Sequence, residues 1–222
     1  MTATSTTVLS ISRQLGSGGS FVGRAVASRL GMRYVDREIL QRAAADLGLG
    51  ETDLAASEEK AAGFWDRLFL AFSGGAPDAA YLPPAVPAVY ETDLFGAESR
   101  VIRDIADRFD AIIVGRAGFH VLAGHPGLVS VRLHAPRPWR VRRVMEVYGI
   151  ADEAKAALAV DNSDHTRAQF IRTFAGVTWN DACAFDLCLN TATVGLDQTV
   201  ELVATLVSAR RQQLARPATG AA

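Results

Sequence analysis

Val8-Leu9-Ser10-Ile11-Ser12 runs directly into Arg13-Gln14-Leu15-Gly16-Ser17-Gly18-Gly19-Ser20, and the pattern Phe21-Val22, Ala25-Val26, Arg29-Leu30 follows before Gly31. A short β-rich run, a turn of small residues and a helix with a glycine stop make a strand–turn–helix unit. Met32 to Asp36 then reads as a second strand, and Arg37 to Leu47 as a second helix stopped by Gly48. This alternation opens a parallel α/β sheet. Further strands are predicted at Ala111–Val114, Leu128–Leu133 and Asp186–Leu189. Helices are predicted at Glu51–Phe72, Glu91–Arg108, Pro136–Tyr148, Asp152 to about Phe174, and Gly195–Leu214. Five strands joined by helices favour right-handed crossovers, with ligands at the carboxyl ends of the strands. The polar clusters fall at those ends: Arg13–Ser20 after the first strand, Asp36 after the second, Arg116 after the third and an arginine-dense helix after the fourth.

The 222 residues form one domain by length, 49% hydrophobic and 21% charged, enough to close a core. With 23 basic and 24 acidic residues the net charge is −1, which argues against a general nucleic-acid-binding surface or a disordered acidic chain. No apolar run reaches the roughly 18–20 residues of a membrane span. Met1 to Thr7 lacks the basic and apolar regions of a signal peptide. Cys183 and Cys188 make no disulfide framework, so a cytoplasmic protein is expected. Of the basic residues only Lys60 and Lys155 are lysines. That reads first as genomic bias toward Arg and Ala, yet it means that a site needing a cation here uses arginine. The Gly/Pro-rich stretch Ser73–Pro87 is expected to be an arm inserted in the fold: a surface loop first, a mobile flap or dimer contact second. The tail from Arg216 is expected to be disordered.

Small residues between a strand and a helix let backbone N–H groups converge at the positive end of the helix, an anion cradle. The pattern G-x-x-x-x-G-K-[ST] can be laid over it with Gly18 and Ser20 in register. Arg13 then stands for the first Gly and Gly19 for the Lys, which ordinarily offsets charge on the β- and γ-phosphates. Arg13 is the nearest replacement cation, with Arg140 and Arg143 able to close from above. A lysine restored at position 19 is expected to keep or raise ATP affinity. Arg116, at the end of an apolar strand, implies a phosphate or a carboxylate partner. Asp36 reads as a helix N-cap, a ligand, or both. Asp161, Asp164 and Arg167 share a helix face, a spacing that alone favours a surface salt bridge.

Ile11-Ser12-Arg13-Gln14 with Gly16–Gly19, then Tyr34-Val35-Asp36-Arg37-Glu38-Ile39-Leu40, Val114-Gly115-Arg116, Phe174–Asp181 and Asp186–Thr191 together resemble the cytidylate kinase-like family, divergent P-loop nucleoside monophosphate kinases. The resemblance covers about Val8 to Val207. It implies a P-loop NTPase-type three-layer fold with a five-stranded parallel sheet, a helical monophosphate-binding insertion and a helical lid. The corresponding ranges are a core at 8–36 and 110–214, the insertion at about 37–108 with the arm 73–87, and the lid at about 136–175. It also implies ATP and Mg²⁺ as cofactors and CMP or dCMP as acceptor. Gly16, Ser17, Gly18, Gly19 and Ser20 would hold the donor phosphates, with Ser20 also on the metal. Arg13, Arg140 and Arg143 would be catalytic, and Asp36, Arg42, Arg116, Asp164 and Arg167 would bind the acceptor. A homodimer contact is expected through residues 64–90. Ala117 replaces the Asp that follows Arg116's counterpart, which leaves the acceptor's identity open. Gly19 leaves open a weakly active or inactive nucleotide-binding module.

Overall fold

The computed structural model describes residues 6–36, 39, 40 and 88–216. Arg42, most of the predicted Arg37–Leu47 helix, the predicted Glu51–Phe72 helix, the arm at 73–87 and nearly all of the expected dimer region at 64–90 lie outside these residues, as does the tail beyond Arg216.

Five strands, β1 (Val8–Arg13), β2 (Arg33–Val35), β3 (Ala111–Val114), β4 (Leu128–His134) and β5 (Leu187–Asn190), form one sheet in the order β2-β3-β1-β4-β5. Every pairing is parallel. The described helices are α1 (Gly19–Leu30), α2 (Ala88–Arg108), α3 (Gly118–Val121), α4 (Arg137–Tyr148), α5 (Glu153–Ala175), α6 (Thr191–Val194) and α7 (Leu196–Ala215). This is an α/β fold of the P-loop NTPase type, with β1 at the point where strand order reverses and the glycine turn leaving its carboxyl end.

Alternation along the strands separates the two faces. Leu9 and Ile11 of β1, Ile112 and Val114 of β3, and Val129, Val131 and Leu133 of β4 pack with Val22 and Val26 of α1 and Val203 and Val207 of α7. Val8, Ala111 and Ile113 face the other way, against Val101, Ile102 and Ile105 of α2 and Val121 of α3. Parallel sheets covered on both sides ordinarily carry near-continuous apolar strands. Here the second face turns polar toward β1 and β4, where Ser10, Ser12, Ser130 and Arg132 are buried. That polar half of an otherwise apolar sheet positions the site.

Helix α1 starts at Gly19, two residues before its apolar pattern begins. Its N-cap Gly18 has φ +81° and supplies no side-chain cap. Helix α3, four residues long, escaped the sequence reading because so short a segment has no periodicity to detect. Among the described residues no helix is long and apolar enough to cross a membrane.

Candidate functional site

The glycine turn is shaped around one arginine. A Cβ at Gly19 would lie 2.5 Å from Cγ and 2.7 Å from Cβ of Arg13, and one at Gly115 would lie 2.1 Å from Arg13 Nη1. The Arg13 side chain therefore runs from its strand end across the first residue of α1 to the turn after β3. Gly19 is the floor of that slot. A lysine at 19 would collide with the stem of Arg13 and not merely with its flexible end, which runs against the expectation that it keeps or raises ATP affinity. Arg13 Nε is buried without a hydrogen-bond partner, and no carboxylate pairs with this guanidinium among the described residues.

The rest of the turn is held by its own polar groups. Ser17 Oγ donates to the Gln14 carbonyl at 2.8 Å and to the Leu133 carbonyl at 3.2 Å, while Gln14 Oε1 accepts from the Ala135 amide at 3.2 Å. Ser17 thus serves the loop's shape. Ser20 is buried in the first turn of α1 beside the phenol of Tyr34, whose pKa burial raises above its ordinary 10.0. Asp36 accepts from the Ile39 amide at 3.3 Å and lies 3.7 Å from Arg24, the N-cap that its position suggested.

Beside the slot, Ser12, Arg13, Gly115, Arg116, Phe119, Arg167, Phe170 and Trp179 line a cleft on the polar half of the sheet. Trp179 Nε1 donates to Ser12 Oγ at 3.0 Å, and Arg132 stacks on the indole at 4.5 Å while its Nη2 donates to Asn180 Oδ1. Burial lowers the Arg132 pKa. Arg167 Nη1 donates to the Arg13 carbonyl at 2.9 Å, joining α5 to the strand end. Arg13, Arg116 and Arg167 are thus brought to one cleft.

Arg116 has the carboxylate of Glu98 as a partner, the second of the two possibilities its position left open. Its Nε and Nη2 both meet Glu98 Oε2, and its guanidinium stacks on Phe170 at 4.5 Å. It occupies a left-handed turn, with φ +88° at Gly115, +48° at Arg116 and +52° at Ala117. Two non-glycine residues there cost on the order of 1 kcal/mol each.

The helices α4 and α5 hold a second set of ion pairs. Arg140, 4% exposed, donates through Nη1 and Nη2 to Asp164 at 3.2 and 2.7 Å, and also to the Ala135 and Leu15 carbonyls at 3.0 and 3.2 Å. A Cβ at Gly16 would sit 2.7 Å from the Arg140 carbonyl, so loop and helix are in contact. The resemblance assigned Arg140 to the donor phosphates and Asp164 to the acceptor; here their hydrogen-bonding edges face each other. Arg137 and Asp161 form an exposed bidentate pair at 2.8 and 2.7 Å, a surface salt bridge between α4 and α5, whereas Asp161's spacing pointed to one along its own helix. Arg143 lies 5.9 Å from the Trp139 ring. Removing Asp164 strands a buried guanidinium, so Asp164→Asn is expected to lower stability by about 2 kcal/mol, discounted for the partial exposure of the acid. A denaturant midpoint within error of wild type would contradict this.

Sequence reasoning missed Glu98, Arg132 and Ser12. The available signal was polarity at a core position: Glu98 stands on the stripe that continues as Val101, Ile102, Ile105 and Ala106, and Ser10, Ser12, Ser130 and Arg132 interrupt buried strands.

A family model described as "Cytidylate kinase-like family" matches residues 8–193. The chain belongs to that family. It matches none of the curated proteins with which it was compared. Among solved structures it is similar to an uncharacterized protein from Eubacterium ventriosum, with 18% identity over 91% of this chain and 98% of that one and a TM-score of 0.66. It is also similar to a gluconokinase from Sinorhizobium meliloti, with 14% identity over 95% and 96% of the two chains and a TM-score of 0.52. At these identities the likeness concerns the fold alone. Family and fold together make this a P-loop kinase-like protein, and the missing lysine is a feature to be explained within that class.

Proposed function

We propose that the chain transfers the γ-phosphoryl group of ATP to a nucleoside monophosphate, CMP or dCMP, with Arg13 in the part that a lysine ordinarily plays. The observation that carries this reading is Arg13 itself: a guanidinium laid over the glycine turn, seated on two glycines and without a carboxylate among the described residues. Leaving a cation so placed without an acid is costly unless an anion arrives.

The residues present fit a phosphate chain. Gly16 and Gly18 take φ +80° and +81°, and α1 begins without a side-chain cap or an acidic residue in its first turn. The first N–H groups of the helix are thereby left for an anion. Residues Gly16 to Ser20 would bind the donor phosphates. Mg²⁺ takes mainly phosphate and water oxygens, so the Ser20 hydroxyl suffices as the protein's ligand; when bound, the ion neutralises charge on the donor. Arg13 would compensate charge growing on the transferred group, and Arg143 would add to it from α4. Arg116, Arg167 and Arg42 would grip the acceptor phosphate, with Asp36 at the same strand-end rim. Arg140 and Asp164 would act through each other, holding the α4–α5 lid on the loop. Chemistry of this kind needs positioning and electrostatics but no covalent intermediate.

One observation favours a second reading, a nucleotide-binding module without turnover: Arg116 and Arg140 are already paired with the protein's own acids. ADP release measured with ATP, Mg²⁺ and a panel of monophosphates separates the two. Turnover is expected with a pyrimidine monophosphate. ATP binding without turnover on any acceptor establishes the module instead.

A further inference from the structure

We infer that Glu98 is the positioning residue for Arg116, fixing which edge of the guanidinium the acceptor meets; the inference rests on the acceptor-site reading above. Glu98 is fully buried, on a helix stripe whose other members are apolar. A carboxylate there is a poor choice for stability, since well-packed apolar residues commonly do as well as a buried ion pair or better. What the acid does achieve is orientation. Its Oε2 takes both Nε and Nη2 of Arg116, and Phe170 covers one face of the guanidinium. Nη1 is left without a hydrogen bond among the described residues, on a side chain that lines the cleft beside Arg13 and Arg167. The left-handed turn at Gly115–Ala117 delivers Arg116 to that spot, and α2 supplies the acid that stops it from swinging. An arginine held this way is preorganised, so less rotamer freedom is lost when a phosphate binds.

Three variants separate orientation from charge and from packing. Glu98→Gln keeps the length and one oxygen acceptor, and is expected to hold the acceptor KM within threefold of wild type. Glu98→Asp keeps the charge but withdraws it by one methylene, and is expected to raise that KM about tenfold. Glu98→Leu should raise it more. In all three, kcat and the ATP KM should stay near wild type. If Glu98→Leu does not fold, the contrast between Gln and Asp decides. Equal acceptor KM values for Gln, Asp and wild type, with only melting temperature altered, would show a purely structural role and overturn the inference. Binding of inorganic phosphate, followed by calorimetry, keeps this test apart from the proposed reaction. If wild type turns over no monophosphate, the transfer reading fails, while the order wild type ≈ Gln tighter than Asp in phosphate affinity still supports positioning. No phosphate binding by a wild type that also lacks turnover overturns both.

Discussion

Gly19→Lys, which rebuilds the ordinary P-loop pattern, is expected to abolish phosphoryl transfer. The new Cβ would fall 2.5 Å from Cγ of Arg13 and 2.7 Å from its Cβ, the second an atom placed by the backbone that no rotamer change can move away. Either Arg13 leaves its slot or α1 shifts at its first residue, and both disturb the cradle. Arg13→Gly removes the cation together with the Cβ and Cγ that crowd position 19. Its kcat should fall by about 10²–10³, the effect of deleting a donor aimed at developing charge. The double variant Arg13→Gly/Gly19→Lys removes the atoms that a Cβ at 19 would meet and gives the lysine a path to the phosphates. It should recover at least tenfold over either single change. Such a strongly non-additive result is what two side chains competing for one space produce. ADP release for the four proteins, with ATP affinity measured separately, checks the prediction. If Gly19→Lys alone were as active as wild type, Arg13 would not occupy the lysine's place.

How far the sequence could be read follows from which interactions are local. The strands Val8–Arg13, Ala111–Val114 and Leu128–His134 were legible because a buried strand between turn signals needs no information from elsewhere in the chain. The anion cradle was legible for the same reason, since Gly16 to Ser20 is contiguous. Arg13 was found as the nearest cation, but nothing local says that Gly19 and Gly115, almost a hundred residues apart, form one channel for it. The pairing of Arg140 with Asp164 was hidden likewise, because it joins two helices and spacing along one of them reports only that helix's own neighbours. Glu98 needed a different habit of reading, in which a charged residue on a core stripe prompts a search for its partner. Asp36 was open to two readings, and the described structure displays the local one, the N-cap.

Arg116→Ala carries the second large effect, and it divides into two parts that the sequence alone merged. An arginine at a strand end that served only as a phosphate ligand would lose acceptor binding on substitution and little stability. Glu98 changes that expectation, because it is fully buried and Arg116, 12% exposed, is its ion-pair partner. Truncating the guanidinium leaves a carboxylate in an apolar setting, and breaking a buried pair in this way costs about 3–5 kcal/mol. The variant should therefore show a strongly lowered denaturant midpoint as well as an acceptor KM raised about thirtyfold or more, the loss of a charged phosphate contact. The two losses separate in Glu98→Leu/Arg116→Met, which removes both charges and fills the space with apolar atoms. Stability should return to within about 1–2 kcal/mol of wild type because no unpaired ion remains, while acceptor affinity stays low because the cation is gone. Full recovery of the acceptor KM along with stability would mean that Arg116 serves only the fold. The contact with the acceptor phosphate would then have to come from Arg13 and Arg167 across the cleft.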